Sequence, residues 1–204
     1  MTLNANISQK FRDAFEQKCF ILIIEAYRTS LREKIIQLDW NENDISSEIH
    51  KHIKANALRC KWNISTNVES YIPDDTIKKV KGFADKFPRI DLKMATFYGI
   101  NEYEYFFEAK NLKQNNSALK RRYIETGINS FVSKKYKNGC LVAYLLEGEI
   151  EKTINGINLL LEKKDKRYSE ILKHKPNKLF DFYYESNHPE IGMLKHLIFD
   201  FTII

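Results

Sequence analysis

The stretch PRIDLKMATFYGINEYEYFFEAKNL, Pro88 to Leu112, decides how this chain folds. Its two halves, RIDLKMATFY and YEYFFEAKNL, read as adjacent strands, with GIN as the turn between them. Each apolar run carries ionisable residues in its middle, Asp91 in the first and Glu108 with Lys110 in the second. Side chains alternate along a strand, so Glu108 and Lys110 share one face while Phe107 and Ala109 share the other. A turn centred on Gly99 and Ile100 pairs Tyr98 with Asn101, and counting back sets Asp91 opposite Glu108. Directly paired residues point to the same face of a sheet. The three charges are therefore expected to converge on one spot.

Two carboxylates pressed together repel, and neither ionises easily without a compensating cation. Lys110 supplies one positive charge, and two anions beside one lysine still suit a hard divalent metal. Mg²⁺ is usually held by one or two carboxylates, with water and substrate phosphate completing its shell. Such an ion activates water and stabilises charge on a phosphodiester oxygen, and Lys110 stands where it can assist. The pattern is a phosphodiester-cleaving site in outline. The plainer reading of Asp91 with Lys110 is a cross-strand salt bridge on an exposed face, which leaves Glu108 unexplained.

Working outward, residues from Ser8 to Leu38 predict a long helix, because Phe11, Phe15, Cys19, Leu22 and Ala26 recur at spacings of three and four. A second helix is predicted over Asn41–Leu58, with Ile45, Ile49 and Ile53 as its apolar stripe and Asn41 or Asn43 as its cap. KWNISTNVESYI, Lys61–Ile72, alternates as a strand. A basic helix, interrupted at Gly127, is expected over Ser117–Tyr136. The almost wholly apolar run from Cys140 to Glu147 suggests a strand buried on both faces in the middle of a sheet. Beyond it, EIEKTINGINLLLEKKDKRYSEIL reads as helix in two pieces, and KLFDFYYESNHP and LKHLIFDFTII as terminal strands. The expected class is α/β (α+β) with a central mixed sheet, in a single domain over residues 1–204.

The totals set bounds. The 204 residues carry a formal charge of +6, with only seven Gly and four Pro. That length suits one well-buried core, and the few Gly and Pro argue against linkers or extended disorder. Cys19, Cys60 and Cys140 are odd in number and form no CxxC pair, so neither a zinc cluster nor a disulfide framework is expected. No signal peptide or membrane span is apparent, and a cytoplasmic location is the default expectation.

With Asp91 after PRI, a hairpin, and then Glu108-Ala109-Lys110, the chain resembles the PD-(D/E)xK nucleases, the restriction-endonuclease-like superfamily. The resemblance covers about residues 41–147, in the order αβββαβ, with residues 1–40 and 148–204 as extensions. Ile90 stands where that family often has proline. The resemblance implies a metal-dependent nuclease acting on DNA, using Mg²⁺ or Mn²⁺, with Asp91, Glu108 and the Ala109 carbonyl as metal ligands and Lys110 assisting. It further implies roles such as restriction, phage defence or repair, as a homodimer or a partner subunit of a larger defence system. Members often carry another acid on the first core helix. Glu42 is the choice here, with Glu48 and Glu69 as competitors; the alternative role for Glu42 is a first-turn acid favoured by the helix dipole.

Lys113, Gln114, Lys120, Arg121 and Arg122 are the candidate nucleic-acid contacts, with Lys134 and Lys135 further along the same track; a solvated helix face is the competing reading. His188, His196 and Tyr123 are read as structural. Two other functions stay open: an RNA-cleaving enzyme with the same site, and a nuclease-like scaffold that binds without cutting.

Overall fold

The hairpin sets the geometry of everything around it. In the computed structural model, which describes residues 5–71 and 89–203, strand β2 (Arg89–Tyr98) and strand β3 (Asn101–Lys113) pair antiparallel from Tyr98↔Asn101 to Leu92↔Phe107. Gly99 takes φ +61 at the turn, where a residue with a side chain would be strained. Pro88 and Ile72 lie outside the described residues.

Among the described residues a seven-stranded mixed sheet forms, in the order β1-β2-β3-β4-β7-β6-β5. Its other members are β1 (Ser65–Tyr71), β4 (Gly139–Glu147), β5 (Lys173–His174), β6 (Tyr183–His188) and β7 (Gly192–Asp200). The apolar β4 is the fourth of the seven and runs parallel to both β3 and β7. Two faces must be filled around it, so its side chains are apolar on both. Cys140, Val142, Tyr144 and Leu146 join Leu92 and Phe107 under α1 (Ala5–Glu33) and α2 (Glu42–Ala55). Leu141, Ala143 and Leu145 face the opposite layer, with Tyr123, Ile124, Ile128 and Ile157. The protein is thus an α+β fold with helices on both faces of the sheet. Among the described residues no helix is long and apolar enough to cross a membrane.

Several boundaries differ from the sequence expectation. Helix α1 stops at Glu33 rather than Leu38, because Lys34 adopts φ +54 and turns the chain out of the helix. Helix α2 is capped by Asn41, whose side chain accepts from the N–H groups of Asn43 and Asp44, but it ends at Ala55. Asn56 then caps a short helix, α3 (Ala57–Lys61), which takes Lys61 from the expected start of β1. The basic helix is split into α4 (Ser117–Arg122), a π-helical turn (Tyr123–Ile128) and α5 (Asn129–Val132). Helix α6 (Ile150–Leu159) follows β4, and the two-residue β5 was not foreseen. The expected strand from Lys178 begins only at Tyr183, and Ile204 lies outside the described residues.

Candidate active site

Beyond Leu92↔Phe107 the ladder between β2 and β3 stops, although β3 continues for six more residues. Backbone donors on that side of β3 need acceptors. Two carboxylates supply them. Asp91 Oδ2 accepts from the Ala109 N–H at 2.6 Å, and Glu42 Oε1 accepts from the Asn111 N–H at 2.9 Å. Glu42 is the first residue of α2, so the capped helix start delivers its acid to the sheet. The structure therefore brings Glu42 to the charges on the hairpin. Glu48, the competitor, is bonded instead by Lys51 at 2.6 Å, and Glu69 lies on β1 with φ +48.

Lys110 stands at the middle. Its Nζ donates to Glu108 Oε1 at 2.7 Å and to the Ala109 carbonyl at 2.8 Å, and lies 3.9 Å from Glu42 Oε2. Tyr136 donates to Glu108 Oε2 at 2.8 Å, with the Arg89 carbonyl also 2.9 Å from its hydroxyl. Arg122 Nη2 donates to Glu42 Oε2 at 2.9 Å. Glu42, Glu108 and Lys110 are each less than a tenth exposed, whereas the Arg122 side chain is 54% exposed and faces water. Above the lysine stem sits Gly127: a methyl group there would come within 3.0 Å of Leu141 Cδ2 and 3.5 Å of Lys110 Cγ. The glycine lets the π-helical turn approach the sheet closely enough to cover that stem.

Burial pushes the Asp91 carboxyl up to about 6, and the neighbouring Glu108 adds to the rise. The charge on Lys110 and the Ala109 N–H pull it back, while Glu42 raises it further. Burial, then Glu108, raises Tyr136 well above the ordinary phenol value, which keeps it a donor at neutral pH. A carboxyl raised first by burial and then by neighbouring acids is the kind of group found at functional sites.

A divalent ion of the magnesium class fits this donor set in kind. Asp91, Glu108 and the Ala109 carbonyl offer the hard oxygens such an ion prefers, and the raised Asp91 is the group it would relieve. Two of those oxygens, Glu108 Oε1 and Ala109 O, are held by the Lys110 ammonium, which would have to yield them. Among the described residues the one tight set of three His, Asp or Glu ligand atoms lies elsewhere, at Glu33, Glu48 and His52.

The basic residues divide. A groove of about 530 Å³ passes Glu42, Asn111, Lys113 and Arg122, so Lys113 and Arg122 border Glu42, with Asp39 and Asp44 also on its wall. Gln114, Lys120 and Arg121 are used by the chain itself. Gln114 Oε1 accepts from the Glu149 N–H at 2.9 Å, Lys120 Nζ donates to the Gln114 carbonyl at 2.9 Å, and Arg121 Nη1 pairs with Asp165 at 2.8 Å. Strand β3 reaches Lys113, so Gln114 falls in the loop that ties β3 to β4 through its N–H and the Glu147 carbonyl. A larger hollow of about 920 Å³ lies between the N-terminal part of α1 and the hairpin tip, lined by Arg12, Glu16 and Glu102 among others. It contains none of the four clustered charges, and the site is placed by those charges rather than by cavity size.

Sequence reasoning missed Tyr136, Asn111 and the Arg122–Glu42 pair. Each depends on residues far apart in sequence, 28, 69 and 80 positions, and no local pattern announces them.

A second polar group is closed to solvent. Tyr123, His196, Ser186, His188, Glu170 and Arg167 form one hydrogen-bonded chain. Ser186, His188 and Glu170 follow the order of a nucleophile, base and acid, yet Ser186 is 3% and His188 1% exposed. No substrate reaches them, and they hold β6 and β7 to the helical layer. Burial lowers His188, and lowers His196 to about 3, so both rings are neutral near pH 7. No protein-family model, curated protein or solved structure matches this chain.

Proposed function

We propose that this chain is a metal-dependent nuclease with a restriction-endonuclease-like core, hydrolysing DNA phosphodiester bonds. The observation that carries the reading is the gathering of Asp91, Glu108, Lys110 and Glu42 where β2 and β3 part. Supporting it, α2, β1, β2, β3, the α4–α5 segment and β4 follow the αβββαβ order, with β4 parallel to β3. The +6 charge of the chain suits a polyanion partner.

Asp91, Glu108 and the Ala109 carbonyl would hold Mg²⁺ or Mn²⁺, which supplies Lewis-acid charge beside the phosphate and makes water a better nucleophile. Lys110, freed from Glu108, positions its ammonium against the negative charge that grows on the phosphoryl oxygens. Glu42, fixed by Arg122 and the Asn111 N–H, limits how far that ammonium moves. Lys113 and the exposed part of Arg122 bind backbone phosphates. Hydrolysis consumes one water and leaves a phosphate monoester and a hydroxyl.

The test is purified protein with Mg²⁺ or Mn²⁺ on plasmid, linear DNA and RNA, beside Glu108→Ala and Lys110→Ala. Metal-dependent DNA cleavage, absent in both variants while they remain folded, is the expected result. Cleavage of RNA alone would make the substrate RNA. One observation favours a second reading, a silent scaffold: every clustered charge already has a partner within the chain. Nucleic-acid binding without cleavage under any of these metals would select it.

A further inference from the structure

The geometry points to a second metal site, of the zinc class, between the end of α1 and the outer face of α2. Its ligands are Glu33, Glu48 and His52, whose ligand atoms all lie within 4.8 Å of one another. His52 Nε2 is 3.3 Å from Glu48 Oε1 and 3.5 Å from Glu33 Oε2. The imidazole is 9% exposed, and its Nε2 is buried without a hydrogen-bond partner although two carboxylates lie within 3.5 Å of it. A buried polar atom without a partner is costly, so it calls for a ligand.

The separations answer which ligand. Around a tetrahedral ion with bonds of about 2.0–2.1 Å, neighbouring donors stand about 3.3–3.4 Å apart. The two separations from His52, 3.3 and 3.5 Å, are close to that spacing and longer than a good hydrogen bond, and the third ligand atom pair lies within 4.8 Å. Glu48 and His52 are four apart on α2 and so project from the same side of the helix. Glu33 closes the set from the last residue of α1. A carboxylate at a helix C-terminus is disfavoured by the helix dipole, and a cation beside it removes that penalty. One imidazole and two carboxylates suit zinc or a similar divalent transition metal better than magnesium, which prefers oxygens alone. The Glu33 side chain is 46% exposed, which leaves room for a water as the fourth ligand. Lys51 Nζ bonds Glu48 Oε1, and being 62% exposed it can leave when the ion enters.

An ion here joins α1 to α2, the helix that carries Glu42. Its presence stabilises the folded chain without entering the nuclease chemistry, and the site stands whether or not that reading holds. The experiment is calorimetric titration of the full chain with zinc chloride, together with the melting temperature with and without zinc. It is run in wild type and repeated in a Glu108→Ala background, which weakens any binding at the magnesium site. One zinc per chain, a higher melting temperature, and no comparable effect of magnesium in the Glu108→Ala background are expected. His52→Ala and Glu33→Gln should each weaken zinc binding by about tenfold or more, the loss that even a supporting partner can cause. Glu33→Gln, at a half-exposed position, decides the matter if His52→Ala unfolds. Absence of zinc binding, or binding unchanged in Glu33→Gln, overturns the site.

Discussion

Asp91 has two roles that one substitution can separate. Its Oδ2 satisfies the Ala109 N–H, and its charge belongs to the proposed metal site. Asparagine keeps an acceptor oxygen and loses the charge. The folded carboxyl is raised to about 6 from an ordinary value of 3.8, so the stability it contributes is present below 3.8 and lost as pH rises through 6. At pH 7 Asp91→Asn is therefore expected to be at least as stable as wild type in urea, while any metal-dependent cleavage disappears. Asp91→Ala leaves the N–H unpaired and should cost about 1–3 kcal/mol. An asparagine variant as unstable as the alanine variant would show that the charge, not the acceptor, supports the strand. Tyr136→Phe removes the donor to Glu108 Oε2 and should cost about 0.5–1.5 kcal/mol by the same measurement.

At the scale of elements, Gly127 sets how closely the π-helical turn lies on β3 and β4. Leucine there must displace Leu141, which is fully buried. Gly127→Leu is expected to lose about 1–3 kcal/mol through overpacking, seen as a lower urea midpoint. The hairpin was legible to the residue for β2 and its turn, because period-two alternation and a positive-φ glycine are both local signals. The same counting set Asp91 directly opposite Glu108, but the ladder stops one pair short at Leu92↔Phe107, and Asp91 reaches β3 through the Ala109 N–H instead. Helix α1 was read too long because Ile35 and Leu38 continue its apolar spacing, although neither joins the buried core. The break at Lys34 is a backbone event that no periodicity encodes. That Gln114, Lys120 and Arg121 bond to the chain itself was not legible either, because composition identifies a basic segment while only packing decides which of its members take partners within the protein.

For the molecule as a whole, pH should act through the polar chain beneath β6 and β7. His196 is lowered to about 3 by burial first, with the charge of His188 adding to it, while an unfolded histidine titrates near 6.5. Its contribution to stability is complete above about 6.5 and declines as pH falls toward 3. The urea midpoint is expected to drop between pH 7 and pH 5, and to drop less in His196→Gln, whose amide can donate and accept without titrating. Equal drops in both proteins would assign acid sensitivity to other groups. His188, His196 and Tyr123 were legible as structural residues, but their connection to one another was not, since Tyr123 and His196 are 73 residues apart.

That chain has a further property. With Glu170 ionised and both imidazoles neutral, His188 Nδ1 must donate to Glu170, Ser186 to His188 Nε2, His196 Nε2 to Ser186, and Tyr123 to His196 Nδ1. Every hydrogen then points the same way, as along one row in ice. A proton added to His188 turns its Nε2 into a donor, and the serine, the second imidazole and the phenol must each reorient or go without an acceptor. Acid arriving at the Glu170 end is thus felt at Tyr123, on the π-helical turn whose Gly127 lies over the stem of Lys110.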